Sequence, residues 1–70
     1  MADSVYKVIE LVGTSEVSWE EAAKVAVERA SKTLDDLRIA EVKAQDVKIE
    51  NGKVVAYRTK LSLSFRYRDD

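Results

Sequence analysis

The stretch YRTKLSLSFRY, residues 57–67, alternates two kinds of side chain almost without a break. Its odd positions are mainly apolar: Tyr57, Thr59, Leu61, Leu63, Phe65 and Tyr67. Its even positions are all Arg, Lys or Ser. Because successive side chains of a β-strand point to opposite faces, this pattern predicts a long strand with one buried face and one polar face.

The residues before this strand predict its hairpin partner. Asn51-Gly52 is a strong signal for a two-residue turn, which needs positive φ at both positions. Residues 38–50 form the preceding strand, but the apolar positions change parity between Val42 and Val47. Since one extra residue would restore the alternation, we predict a β-bulge near Ala44–Asp46.

The N-terminal part of the chain predicts a short strand over residues 5–12. Its apolar residues fall on both faces, with Ile9 and Leu11 on one and Tyr6 and Val8 on the other. A strand at the surface of a monomer would alternate more cleanly, so we expect another subunit to cover the second face. Gly13-Thr14-Ser15 is expected to end the strand.

A helix is predicted over residues 18–34. Ser18 and Glu21 have the spacing of a capping box, in which each residue satisfies a free backbone N–H group near the helix start. The apolar stripe of the helix is mostly alanine, which predicts close packing on the sheet. Trp19 stands at the head of this stripe, and we interpret it as a core anchor rather than a platform for ligand stacking.

Composition limits both the fold and the function. With 70 residues the chain is one domain, 1–70, and a core of this size supplies only about 3–5 kcal/mol. The absence of Cys and His excludes disulfides, the usual zinc sites and the familiar nucleophile–base pairs, so we expect assembly and no enzymatic activity. The net charge of −1 argues against nucleic acid as a partner. No membrane partner is expected either, and the predicted location is cytoplasmic.

These elements predict an α+β fold in β-α-β-β order, with a three-stranded antiparallel sheet packed on one helix. Four segments of the chain resemble the dodecin family: VYKVIELVGTS at 5–15, SWEEAA at 18–23, TLDDLRIAEV at 33–42 and YRTKLSLSF at 57–65. The resemblance implies a hollow homododecamer of tetrahedral symmetry. It also implies storage or buffering of a flavin, FMN or riboflavin, with paired flavins held at twofold contacts between subunits.

Two positions depart from the flavin-binding pattern of that family. Ile39 stands where flavin-binding dodecins carry a stacking Trp, and Arg58 stands where they carry a Gln that hydrogen-bonds the flavin edge. Isoleucine offers contact area without aromatic stacking, and arginine donates hydrogen bonds but accepts none. The chain therefore resembles a subset that lacks the flavin-stacking Trp. Its candidate cofactor-binding residues are Arg38, Ile39, Gln45 and Arg58.

Several interpretations of these residues stay open. Arg58 either pairs with a cross-strand acid such as Glu41 or converges with its symmetry mate to bind a small anion. The carboxylates that symmetry could gather around calcium are Asp35, Asp36, Glu41, Asp46 and Glu50, although their spacing fits no single-chain calcium loop. The function is then a small-molecule store with weakened flavin binding or another ligand. The alternative is a structural shell or a calcium-binding dodecamer.

Overall fold

The structure is a computed structural model that describes residues 4–66, so Tyr67 of the predicted apolar face lies outside the described residues. Its elements are β1 (Tyr6–Ser15), α1 (Trp19–Ala30), β2 (Leu37–Glu50) and β3 (Lys53–Arg66). The three strands form one antiparallel sheet in the order β1-β3-β2. The predicted α+β fold and the β-α-β-β order are confirmed.

The alternating stretch becomes β3, the central strand of the sheet, which pairs with both other strands. Thr59, Leu61 and Leu63 are each at most 1% exposed and face α1. The intervening residues point to the opposite side of the sheet, which we call the outer face. A central strand that buries one side and leaves the other uncovered explains the clean alternation in its sequence.

The predicted end of β1 at Val12 is wrong, because the strand continues to Ser15. Gly13 pairs with Thr59 in an unbroken register. A Cβ atom at Gly13 would lie 2.1 Å from the carbonyl oxygen of Ala22 in α1. Glycine is therefore required here so that the helix backbone can approach the strand closely, and it does not end the strand.

Helix α1 begins where the capping signal predicts. The Ser18 Oγ accepts a hydrogen bond from the backbone N–H of Glu21 at 3.0 Å. The helix ends at Ala30 and not at the predicted Leu34. The backbone N–H groups of both Thr33 and Leu34 donate to the Ala30 carbonyl, and the Thr33 hydroxyl donates to it as well. The Lys32 N–H likewise donates to the Arg29 carbonyl three residues earlier, so the chain tightens into turns after Ala30.

The core that α1 forms with the sheet is thin. Four of the six buried hydrophobic residues among those described are alanines, and the other two are Leu61 and Leu63. Eleven large hydrophobic residues are exposed, more than the core contains. The radius of gyration is 14.5 Å, against about 11 Å expected for a compact domain of this length. The subunit is thus elongated, with much of its apolar surface uncovered.

The β2–β3 hairpin contains the predicted turn and three irregularities. Asn51 and Gly52 have φ values of 52° and 75°, which confirms the two-residue turn with positive φ. The predicted bulge exists, but it leaves Lys43 as the extra residue, one position before Ala44–Asp46. Two further shifts were not predicted, at Arg38 in β2 and at Val55 in β3.

Among residues 4–66 the structure has no helix that is both long and apolar enough to cross a membrane.

Candidate functional site

The irregular register of the hairpin decides which residue lies opposite Arg58. If the hairpin had no bulges, counting back along β2 from the Asn51-Gly52 turn would place Gln45 opposite Arg58. The shift at Val55 displaces the next part of the hairpin by one residue, so that Asp46 pairs with Arg58 instead. A one-residue displacement exchanges the two faces of a strand. Asp46 and Arg58 therefore meet side by side on the outer face.

Asp46 and Arg58 form a two-pronged ion pair. The Arg58 Nε lies 2.7 Å from Asp46 Oδ1, and Nη2 lies 2.9 Å from Oδ2. Hydrogen bonding from Arg58 holds the pKa of the Asp46 carboxyl below its ordinary value, and the charges of Arg58 and Lys60 act in the same direction. The hydrogen bond to Asp46 also raises the pKa of the Arg58 guanidinium. The pair fixes one acceptor-only group against one donor-only group.

The prediction that Arg58 pairs with a cross-strand acid is confirmed, but the acid is Asp46 and not Glu41. Glu41 lies opposite Ser62, four residues along β3 from Arg58. Glu41 was the wrong partner because its choice rested on charge alone, whereas cross-strand partners are set by register. The sequence contains a weak signal for the true pairing, since Asp46 is the acid nearest to the register position counted back from the turn.

Trp19 connects the start of α1 to both strands of this hairpin. Its indole Nε1 donates a hydrogen bond to the backbone carbonyl of Asp46 at 3.0 Å. Its own carbonyl accepts a hydrogen bond from the buried Thr59 hydroxyl at 2.9 Å. The indole ring also meets the Tyr57 ring in an edge-to-face contact, with 5.1 Å between centroids. Trp19 is thus an anchor between helix and sheet, as expected, and it holds the backbone of Asp46.

Ile39 and Arg38 lie toward the other end of the hairpin. Ile39 is opposite Ser64 on the outer face and is 64% exposed. Arg38 donates from Nε to the Asp36 carboxylate at 3.1 Å. An open groove of about 180 Å³ passes between α1 and β2 here. It is lined by Val27, Leu37, Arg38, Ile39, Ala40 and Leu63.

One subunit does not bring the four candidate residues together. Ile39 and Arg58 share the outer face, but the partners of Ile39 and of Asp46 are six positions apart on β3, about 20 Å. Gln45 lies opposite the helix-facing Thr59 and so points to the other side of the sheet. The prediction that Arg58 lies close to Ile39 on the neighbouring strand is therefore wrong.

The described residues of one subunit do not form a metal site by themselves. No group of three Asp or Glu residues within 4–66 lies close enough to hold a metal ion. Asp36 and Asp46 are each paired with an arginine, at 3.0 and 2.7 Å. Sequence reasoning missed one arrangement: Glu10 and Glu41 flank Ser62 from the two neighbouring strands on the outer face.

The element order and the exposed outer face place the chain in a class of small α+β proteins built on one three-stranded antiparallel sheet and one helix. The dodecin family model matches residues 5–68, and the chain belongs to the dodecin family. It is similar to calcium dodecin of Mycobacterium tuberculosis, at 49% identity over 93% of this chain and 92% of the relative. It is also similar to dodecin of Thermus thermophilus, at 43% identity over 93% of this chain and 94% of the relative.

Solved structures agree with the sequence relatives. The structure of dodecin from Streptomyces coelicolor matches with a TM-score of 0.92 at 38% identity, covering 100% of both chains. The crystal structure of M. tuberculosis calcium dodecin, described as a calcium-chelating immunodominant antigen with a novel calcium-binding site, matches with a TM-score of 0.83 at 50% identity. That comparison covers 96% of each chain.

We predict that Arg58→Gln raises the pKa of the Asp46 carboxyl toward its ordinary value of 3.8. The reason is that glutamine keeps the approximate length of the side chain but removes its charge. The measurement is an NMR titration of the Asp46 carboxyl carbon. Because the pKa is lowered in the folded protein, the pair stabilises the fold above the ordinary pKa, and this stabilisation is lost as the pH falls through the lowered value.

Lys60→Gln is the matched control for this titration. Lys60 acts on Asp46 through charge alone, whereas Arg58 also donates hydrogen bonds. Its removal should therefore raise the pKa less than Arg58→Gln does. An equal or larger rise with Lys60→Gln would contradict the ion pair as the main cause.

Proposed function

We propose that the chain works as a homododecamer that binds small ligands between its subunits and is not an enzyme. Exposed apolar surface supports assembly, because the residues left uncovered in one subunit outnumber those in its core. Tyr6, Val8 and Val12 of β1 are all about half exposed on the outer face. A core of this size gains stability from a partner subunit, since the chain has no Cys with which to form disulfides.

The ligand site is proposed to differ from that of a flavin-binding dodecin. The groove at the edge of β2, at about 180 Å³, opens toward Val27 and Leu63 on the helix side and is smaller than the roughly 300–1,000 Å³ of typical ligand pockets. A flavin held against Ile39 on the outer face would therefore need a second subunit to cover it and to supply the stacking partner. Ile39 supplies no aromatic ring, and two N–H groups of the Arg58 guanidinium already donate to the Asp46 carboxylate. These two hydrogen bonds are the main observation that supports weak flavin binding.

Flavin binding should be recovered by Ile39→Trp together with Arg58→Gln. Stacking contributes about 0.5–1.5 kcal/mol per aromatic contact, and glutamine offers both a donor and an acceptor to the ring edge. We expect riboflavin to bind the double variant at least about tenfold more tightly than the parent, and each single variant to gain less. The measurement is quenching of riboflavin fluorescence during titration, with the mass of each variant checked by light scattering.

Val17→Trp combined with Arg58→Gln is the control, since Val17 is the most exposed large hydrophobic residue described, at 75%. This variant adds an exposed indole away from the groove and should not gain affinity. The proposal fails if the parent already quenches riboflavin at submicromolar concentration. It also fails if the double variant has the parent mass and still ignores flavin.

Calcium binding is a second candidate, favoured by the 49% identity to a protein named calcium dodecin. Calcium takes six to eight oxygen ligands, more than one described subunit gathers in one place. Glu10 and Glu41 flank the Ser62 hydroxyl on the outer face, and a facing subunit would add further oxygens there. Both carboxylates are exposed and available for such a contact.

We predict that calcium raises the melting temperature of the assembled protein more than magnesium does. Magnesium is smaller and requires stricter geometry, so a site shared between subunits suits calcium better. Glu41→Gln should reduce the calcium effect, whereas Glu28→Gln on the exposed side of α1 should leave it unchanged. An equal response to both metals, or equal losses in both variants, would contradict a specific site at Glu41.

A further inference from the structure

The guanidinium of Arg58 has the contacts that it would make with a bound oxyanion. Two of its N–H groups donate in parallel to two oxygens of one carboxylate, at 2.7 and 2.9 Å. This fork geometry is the one by which arginine recognises carboxylate and phosphate ligands. The carboxylate here belongs to the chain itself, and it occupies the fork from the neighbouring strand.

The surroundings of Arg58 favour an anion. Thr14 lies opposite Arg58 on the β1 side, so a hydroxyl-bearing residue and an acid flank the guanidinium on the outer face. Lys60 follows Arg58 on the same face of β3, and its charge acts on the Asp46 carboxyl. Arg58 and Lys60 are the two cations whose charges act on the Asp46 carboxylate. A small oxyanion could replace that carboxylate and accept the same two hydrogen bonds from Arg58.

Asp46 competes with free anions for the Arg58 guanidinium, and the fold holds it in position to do so. Its backbone carbonyl accepts the Trp19 indole N–H, and the strand pairing with Arg58 sets its distance from the guanidinium. Because the carboxylate is held in place by the fold, it reaches Arg58 without the loss of translational freedom that a free ligand must suffer. An anion from solution must therefore displace a partner that is already positioned.

We propose that Asp46 is a specificity-determining residue, whose carboxylate occupies the Arg58 fork and closes it to small oxyanions such as phosphate. The inference rests on the proposed binding function and names the class of ligand that this end of the outer face excludes. Arg58 is then neither a free flavin contact nor an open anion site. The register displacement in the hairpin places the excluding group there in place of Gln45.

The test is binding of inorganic phosphate at pH 7 to the assembled Asp46→Asn variant, measured by calorimetry. Asparagine keeps the shape of the side chain but has no charge to hold the guanidinium. We expect phosphate to bind this variant at least about tenfold more tightly than the parent. Asp46→Ala provides a second test that does not depend on how the asparagine amide is oriented, and it should gain affinity as well.

Glu50→Gln is the matched control. Glu50 is another exposed β2 carboxylate in an ion pair, with Lys48 at 3.5 Å, and its change alters the net charge by the same amount. It should leave phosphate binding at the parent level, and adding Arg58→Gln to Asp46→Asn should abolish the gain. The proposal is overturned if Asp46→Asn and Asp46→Ala bind phosphate no better than the parent, or if Glu50→Gln gains equally.

This result is separable from the fate of the proposed flavin pocket. Phosphate binding reports on Arg58 and Asp46 alone, whereas riboflavin quenching depends on Ile39 and the facing subunit. A parent that binds riboflavin tightly would defeat the proposed function. A phosphate gain confined to variants of Asp46 would still support the role of this carboxylate.

Discussion

The close approach of α1 to β1 at Gly13 is the contact on which the rest of the structure depends. No side chain fits between Gly13 and the Ala22 carbonyl, and the helix faces the sheet with alanines at positions 22, 26 and 30. Small residues let the backbones meet, but they bury little apolar area. Burial yields about 25 cal/mol per Å², so a helix–sheet contact made by alanines contributes less than one made by leucines. The helix therefore lies very close to the sheet, but the core between them is small.

This geometry leaves the hairpin longer than the helix can cover. The strands β2 and β3 have 14 residues each, whereas β1 has 10 and α1 has 12. Val54 and Ile49 near the turn are more than half exposed. Trp19 fastens the middle of the hairpin to the start of α1 through the Asp46 carbonyl. The same anchor therefore supports both the fold and the ion pair on the outer face.

Much of the fold could be predicted from the sequence because its signals are local. Alternation predicted β3, the Asn51-Gly52 pair predicted the turn, and Ser18 with Glu21 predicted the helix start. The prediction for Gly13 was wrong, because the sequence alone does not distinguish a glycine that allows close packing from one that ends a strand. The site was harder, since the Asp46–Arg58 pairing depends on a shift at Val55 that leaves no clear mark in the pattern. Ile39 and Arg58 share the outer face but lie about 20 Å apart along the hairpin, a separation that follows from the register and not from any local pattern.

We infer that one subunit depends on its neighbours to fold. Equilibrium unfolding in urea, followed by far-UV circular dichroism over a hundredfold range of protein concentration, measures this dependence. If folding and assembly are coupled, the urea midpoint should rise with protein concentration. Mass action adds about 1 kcal/mol to the free energy of unfolding per subunit for each tenfold increase in concentration. A midpoint that stays the same over the whole range would show instead that the subunit is stable without its neighbours.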